Sequence, residues 1–131
     1  DNMDWIIIDG SPGIGCPVIA SITGARAVLI VTEPTLSGLH DLERAAGLAG
    51  HFKIPTLVCV NKFDLNEEMS DRIVDYCAKN HIELAGRIPY DTAVTRAMVA
   101  GKSIVEFSDG KVSDAIKEVW QKIEDFIKNA D

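Results

Sequence analysis

Short runs of apolar residues alternate along this chain with longer stretches in which apolar positions recur every three or four residues. Runs at residues 5–8, 27–31, 56–60 and 82–88 have strand length, and the first three are rich in Ile and Val and continuous. Continuity without alternation predicts strands buried on both faces of a parallel sheet. The fourth run, Ile82-Glu-Leu-Ala-Gly-Arg-Ile88, mixes polar and apolar positions and is expected nearer an edge. Residues 37–52 carry Leu39, Leu42, Ala46 and Ala49 on one helical stripe. Asn66 is placed to cap a second helix, with Glu67 and Glu68 in its first turn, Met69, Ile73, Tyr76 and Cys77 on one face, and Lys79 in the last turn. Ser113 is placed to cap a final helix that buries Ile116, Val119, Trp120, Ile123 and Ile127. Strands alternating with helices give right-handed crossovers and a three-layer α/β architecture, a parallel sheet flanked by helices. Residues 1–131 read as a single domain.

Composition narrows the class. The chain has 131 residues, 47% of them hydrophobic and 25% charged, ordinary values for a globular domain with its own core. Thirteen basic and 20 acidic residues give a net charge of −7, which speaks against a nucleic-acid module because no basic surplus exists to neutralise phosphates. A nucleotide ligand stays possible, since backbone N–H groups and a metal ion can meet its few charges. No apolar run approaches the length of a transmembrane span, and no secretory signal pattern is visible. Cys16, Cys59 and Cys77 are odd in number and form no C-x-x-C pair, so neither a disulfide framework nor a self-contained zinc site is expected, and a reducing cytoplasm is the default. His40, His51 and His81 share no metal-ligand spacing and are expected at the surface or at helix ends.

Ligands of such sheets bind beyond the carboxyl ends of the strands, so the chemistry is sought just after each run. The first run ends in Asp9-Gly-Ser-Pro-Gly-Ile-Gly-Cys16. An Asp at a strand end suits a Mg²⁺-associated carboxylate, and the Gly13 N–H is available to a terminal phosphate. The plainer alternative is an Asp that caps the next helix. A dinucleotide fingerprint fails because position 18 is Val18, and Gly101-Lys-Ser103 is no phosphate loop because position 96 is Arg96. No complete phosphate-binding loop occurs in the 131 residues. The second run ends in Thr32-Glu-Pro-Thr35, where Thr35 or Ser37 caps the following helix and Glu33 is a candidate for the site. The third ends in Asn61-Lys-Phe-Asp64: a planar amide able to pair with a base edge, a lysine stem able to cover its face, and an Asp able to accept from guanine's two donors. The fourth ends in Ile88-Pro-Tyr-Asp91, where Asp91 serves either a ligand or the cap of the next helix.

Taken together, these four strand-end motifs resemble the MinD/ParA-type P-loop ATPases of the deviant Walker class, with the nitrogenase iron protein as a more distant likeness. The nearest similarity is to MinD-superfamily ATPases that carry an inserted ferredoxin domain. It is carried by Asp4–Ala20, Val31–Glu43, Val60–Asn66 and Ile88–Asp91, in order, over about residues 3–107. The resemblance implies a P-loop NTPase-like fold with ATP and Mg²⁺ as ligands, Asp9 at the Mg²⁺-associated position, directly or through water, and Pro12-Gly13 at the switch that senses the γ-phosphate. It places Asn61 against the base and Pro89 and Asp91 in the segment that closes over the base, while Glu33, Lys62 and Asp64 remain nucleotide-binding candidates from their strand-end positions. It also implies a homodimer that sandwiches the nucleotide, an iron–sulfur or redox partner protein, and two [4Fe-4S] clusters held by the ferredoxin-type insert.

The departures shape the expectation. The phosphate loop and cluster cysteines of the family are not in this sequence, so the chain reads as the carboxyl-terminal part of a longer ATPase and is expected to hydrolyse no ATP by itself. An exposed sheet edge is expected to favour self-association. Cys16 stands at an offset from Asp9 similar to that of a cluster-ligating cysteine in the nitrogenase iron protein, although a small packing residue before a proline is the stronger reading. The leading function is an ATP-driven switch linked to iron–sulfur cluster or electron-transfer chemistry. A GTPase, suggested by Asn61-Lys-Phe-Asp64, and a non-catalytic regulatory or scaffold domain are the alternatives.

Overall fold

The computed structural model describes residues 24–103 and 110–130, so the run at 5–8 and the candidates Asp9, Pro12, Gly13 and Cys16 lie outside the described residues. Within them the order is β1 (Val28–Thr32), α1 (Leu36–His51), β2 (Thr56–Asn61), a 3₁₀ turn (Phe63–Leu65), α2 (Glu67–Lys79), β3 (Glu83–Ile88), α3 (Ala93–Val99) and α4 (Lys111–Ala130). The three strands are parallel in the order β1-β2-β3, with helical crossovers between them.

Central β2 explains the layering. Val58 and Val60 face one side, where Leu39 and Leu42 of α1 and Ile73 and Cys77 of α2 close over them. Leu57 and Cys59 face the other side and meet Ala85 of β3 and Val119 of α4. Burying a Val or Leu side chain fully contributes roughly 1.5–3 kcal/mol, so an unbroken apolar run is what a strand covered on both faces requires. The stripes expected for α1 and α2 are the ones buried. Thr35 caps α1 by accepting from the Gly38 N–H at 2.8 Å, and Asn66 caps α2 by accepting from the Met69 N–H at 3.0 Å. The three histidines are exposed, as expected.

Two expectations need correction. Among the described residues β1 is covered on one face only: Leu29 and Val31 are 37% and 58% exposed. They share a face with Leu57 and Cys59 through the pairs Leu29↔Leu57 and Val31↔Cys59, but α4 lies chiefly against β3 and no described helix covers β1 there. In α4 the helix begins at Lys111, so Ser113 is an interior residue, fully buried, and not a cap. The buried stripe is Val112, Ala115 and Val119, continued by Ile123 and Phe126, while Trp120 sits on the rim at 37% exposure. The helix rolls this way because Val119 nests against Gly86, where a Cβ would stand 2.8 Å from Val119 Cγ2.

β3 is an edge strand of the described sheet, as its mixed pattern suggested, and the mixing has a cause. Leu84 pairs with Val58 but Gly86 pairs with Cys59, leaving Ala85 as an extra residue in a bulge. Ala85 and Gly86 therefore both lie toward α4, and every later side chain changes face relative to a regular strand.

Candidate functional site

Parallel strands end on one side of the sheet, so the loops after β1, β2 and β3 are neighbours by topology. After β1, Thr32 is buried and its hydroxyl donates to the Gly38 carbonyl at 3.0 Å. Gly38 is required here: a Cβ would overlap the Glu33 carbonyl oxygen and stand 2.9 Å from Thr32 Oγ1. The loop is thereby drawn tightly onto the start of α1. From it the Glu33 carboxylate reaches Lys62 Nζ at 3.3 Å, with the two side chains about half exposed. An exposed pair of this kind contributes at most about 1 kcal/mol, so its importance is positional.

Lys62 itself is left-handed, with φ 55° and ψ 41°. Lys53 and His81 also have positive φ, but each ends a helix in a standard way, with the next residue bonding back (Ile54 N–H to Ala49 O at 2.9 Å, Ile82 N–H to Cys77 O at 2.8 Å). Lys62 instead turns the chain from β2 into the 3₁₀ turn, a conformation that costs a non-glycine residue about 1–2 kcal/mol. Three contacts hold the turn. The buried Ser70 hydroxyl of α2 donates to the Phe63 carbonyl at 2.7 Å. The Arg87 guanidinium of β3 lies 5.3 Å from the Phe63 ring centroid, a cation–π contact. Asp64 Oδ1 accepts from the Tyr90 N–H at 2.8 Å, joining the loops after β2 and β3.

The arrangement is a series: Glu33 to Lys62, then Asp64 to the segment containing Pro89 and Asp91. Asp91 Oδ1 accepts from the Ala93 N–H at 2.9 Å; it does so from one residue ahead of the N-cap, which is Thr92 and makes no side-chain capping bond of its own. Asn61 ends β2, half-buried, and among the described residues nothing hydrogen-bonds its side-chain amide. Sequence reasoning did not find Gly38, Ser70, Arg87 or the Tyr90 backbone. For Gly38 a signal existed, a glycine in the first turn of a good helix; for Arg87 none did, because its face depends on the bulge.

Among the described residues no group of three or more His, Cys, Asp or Glu is placed to hold a metal ion. Cys59 and Cys77 are buried and free, and burial pushes the Cys59 thiol up to about 11 and raises that of Cys77 as well. Protonated, enclosed thiols do not fit cluster ligation. Two open hollows of about 470 and 330 Å³ lie at the opposite end of the sheet, around Pro55, Thr56, His81 and Ile82, and include none of the strand-end candidates.

No family model matches the chain. It is 33% identical to an uncharacterized protein of Methanocaldococcus jannaschii over 92% of its own length and 40% of the relative's. It is 30% identical to the antiactivator FleN of Pseudomonas aeruginosa, over 95% of the chain and 48% of FleN. It is 25% identical to the iron-sulfur cluster carrier protein of Pyrococcus abyssi, over 97% of the chain and 47% of that protein. The chain thus spans less than half the length of these curated relatives. Among solved structures, the MinD cell division protein of Aquifex aeolicus superposes with a TM-score of 0.79 at 26% identity, over 94% of this chain and 54% of that one. The Pyrococcus horikoshii septum site-determining protein MinD, complexed with Mg-ADP, gives 0.75 at 19% identity over 92% and 50%, a likeness of fold. Fold and strand-end layout define a P-loop NTPase-type α/β unit. Within that class, the chain is similar in sequence and fold to MinD/ParA-type proteins.

Proposed function

We propose that the loops after β1, β2 and β3 form the base-binding side of an ATP site, in the carboxyl-terminal part of a switch ATPase linked to iron–sulfur cluster or electron-transfer chemistry. The observation that carries this reading is the bonded series Glu33–Lys62 and Asp64–Tyr90 across the strand ends, beside the Asn61 amide, which nothing among the described residues hydrogen-bonds. An amide presents a donor and an acceptor side by side, the complement of an adenine edge. Pro89 and Asp91 stand in the loop that Asp64 holds, and Lys62 supplies an apolar stem and a cation beside the base. Mg²⁺ would supply charge neutralisation of the phosphates, with Asp9 as its associated carboxylate and Pro12-Gly13 as the switch.

Support for nucleotide binding comes from the Mg-ADP complex of the structurally similar Pyrococcus horikoshii protein, and for the iron–sulfur link from the cluster carrier relative. The described cysteines do not fit cluster ligation, so a [4Fe-4S] group belongs to other residues: Cys16 of this chain or a further part of the protein. A homodimer and a cytoplasmic setting, consistent with the free thiols Cys59 and Cys77, complete the proposal. Hydrolysis needs a phosphate loop, and the 131 residues contain none, so the chain alone turns over no ATP.

Calorimetric titration of the full-length polypeptide with Mg-ATP tests the site. Asn61→Ala is expected to weaken binding about tenfold, the size of one or two lost hydrogen bonds. Unchanged affinity in that variant, or no ATP binding at millimolar concentration, refutes the assignment.

A further inference from the structure

We infer that Asp64 is a positioning residue that holds the loop after β3 against the loop after β2, so that Asn61-Lys-Phe-Asp64 selects adenine although its pattern invites guanine. The inference rests on the base-site reading above. An aspartate that reads guanine must offer both oxygens, side by side, to the ring N–H and the exocyclic amine. Here Oδ1 is committed at 2.8 Å to a donor of the protein itself, the Tyr90 backbone N–H.

Neither end of this contact is free to yield. Behind Asp64, the Phe63 carbonyl is held by the Ser70 hydroxyl, the Phe63 ring lies against Arg87, and the Leu65 N–H bonds the Lys62 carbonyl at 3.1 Å. Around Tyr90, Pro89 stiffens the preceding residue and Asp91 is tied to Ala93. The carboxylate is therefore oriented along the gap between two loops, not toward a base edge. Base reading falls to the Asn61 amide, whose paired donor and acceptor match adenine. The aspartate sets the width of the gap in which the base lies.

Three nucleotides and two variants separate the roles. Xanthosine triphosphate carries a carbonyl where guanine has its exocyclic amine, so it reports on any group that faces that position. Affinities of the full-length polypeptide for ATP, GTP and xanthosine triphosphate are measured for wild type, Asp64→Asn and Asp64→Ala. Exchange of the Tyr90 amide proton is followed by NMR in the 131-residue chain. Asparagine keeps an acceptor at Oδ1, so Asp64→Asn is expected to retain Tyr90 protection and ATP affinity within about twofold. Asp64→Ala is expected to speed Tyr90 exchange about tenfold or more and to weaken ATP about five- to tenfold, the loss of one charge-assisted hydrogen bond. A change of preference from GTP to xanthosine triphosphate in Asp64→Asn overturns the inference, because it marks a guanine-reading carboxylate. So does wild-type ATP binding that Asp64→Ala leaves unchanged, or Tyr90 exchange that it leaves unchanged. If wild type binds no purine nucleotide while Tyr90 exchange still responds to Asp64→Ala, the base-site reading fails and the selectivity claim falls with it.

Discussion

Among the described residues three non-glycine residues share the left-handed backbone region, and they separate into two kinds. Lys53 and His81 terminate helices, where glycine serves as well or better. Lys53→Gly and His81→Gly are each expected to raise stability by about 1 kcal/mol, read as a shift of the urea midpoint. Lys62 pays the same backbone cost at a strand end, where its amine reaches Glu33. Lys62→Gly is expected to leave stability equal or higher while lowering ATP affinity of the full-length polypeptide severalfold; lowered stability with unaltered affinity would assign Lys62 a structural role only. Gly38 behaves oppositely. Gly38→Ala forces a methyl against the Glu33 carbonyl and is expected to cost about 1–3 kcal/mol in chemical denaturation. Glu33, Asn61, Lys62 and Asp64 were legible as candidates because polar residues interrupt apolar runs at strand ends. Their partners were not, since a backbone N–H such as that of Tyr90 leaves no trace in residue type.

At the scale of elements, periodicity located β1, β2, β3, α1 and α2 because each carries one face or one run that burial demands. It misjudged α4, whose apolar positions are broad enough for several rotations; the missing Cβ of Gly86 selects among them. Gly86→Ala is expected to destabilise by about 1–3 kcal/mol. Combining it with Val119→Ala removes the clash, so the two changes should be non-additive by about 1 kcal/mol in a double-mutant cycle. Simple addition of the two effects would show that the glycine serves the backbone and not the helix contact. On the other edge, Leu29 and Val31 leave apolar surface on β1. Val31→Thr is expected to reduce self-association of the chain in light scattering without altering its fold.

For the molecule as a whole, the buried thiols set an alkaline limit. The Cys59 thiol is raised from an ordinary value near 9 to about 11 by burial, so above pH 9 the unfolded chain releases a proton that the folded chain retains. Stability is therefore full below about pH 9 and falls as pH rises toward 11, by roughly 2–3 kcal/mol from this group. Cys59→Val is expected to flatten that slope in denaturation series between pH 8.5 and about 10.5, whatever it does to absolute stability. The three-layer architecture was readable from alternation of runs and stripes, since it follows from burial alone. The series of loop-to-loop bonds was not, because it depends on register, and register on this sheet is shifted at one residue.

That shift makes β3 a strand read in two phases. Before Ala85 its odd and even positions serve one assignment of faces; after it they serve the reverse, which is why Arg87 meets Phe63 and Ile88 joins the layer under α4. Loss of the single codon for Ala85 would restore a regular ladder and leave the two where they stand, because Gly86, Arg87 and Ile88 already pair with Cys59, Val60 and Asn61; a regular pairing with Ala85 kept is what would send a guanidinium beneath α4 and an isoleucine to the Phe63 ring. Ala85 is thus an extra residue that the ladder absorbs, and the bulge around it is what keeps Gly86 facing Val119 and Arg87 facing Phe63.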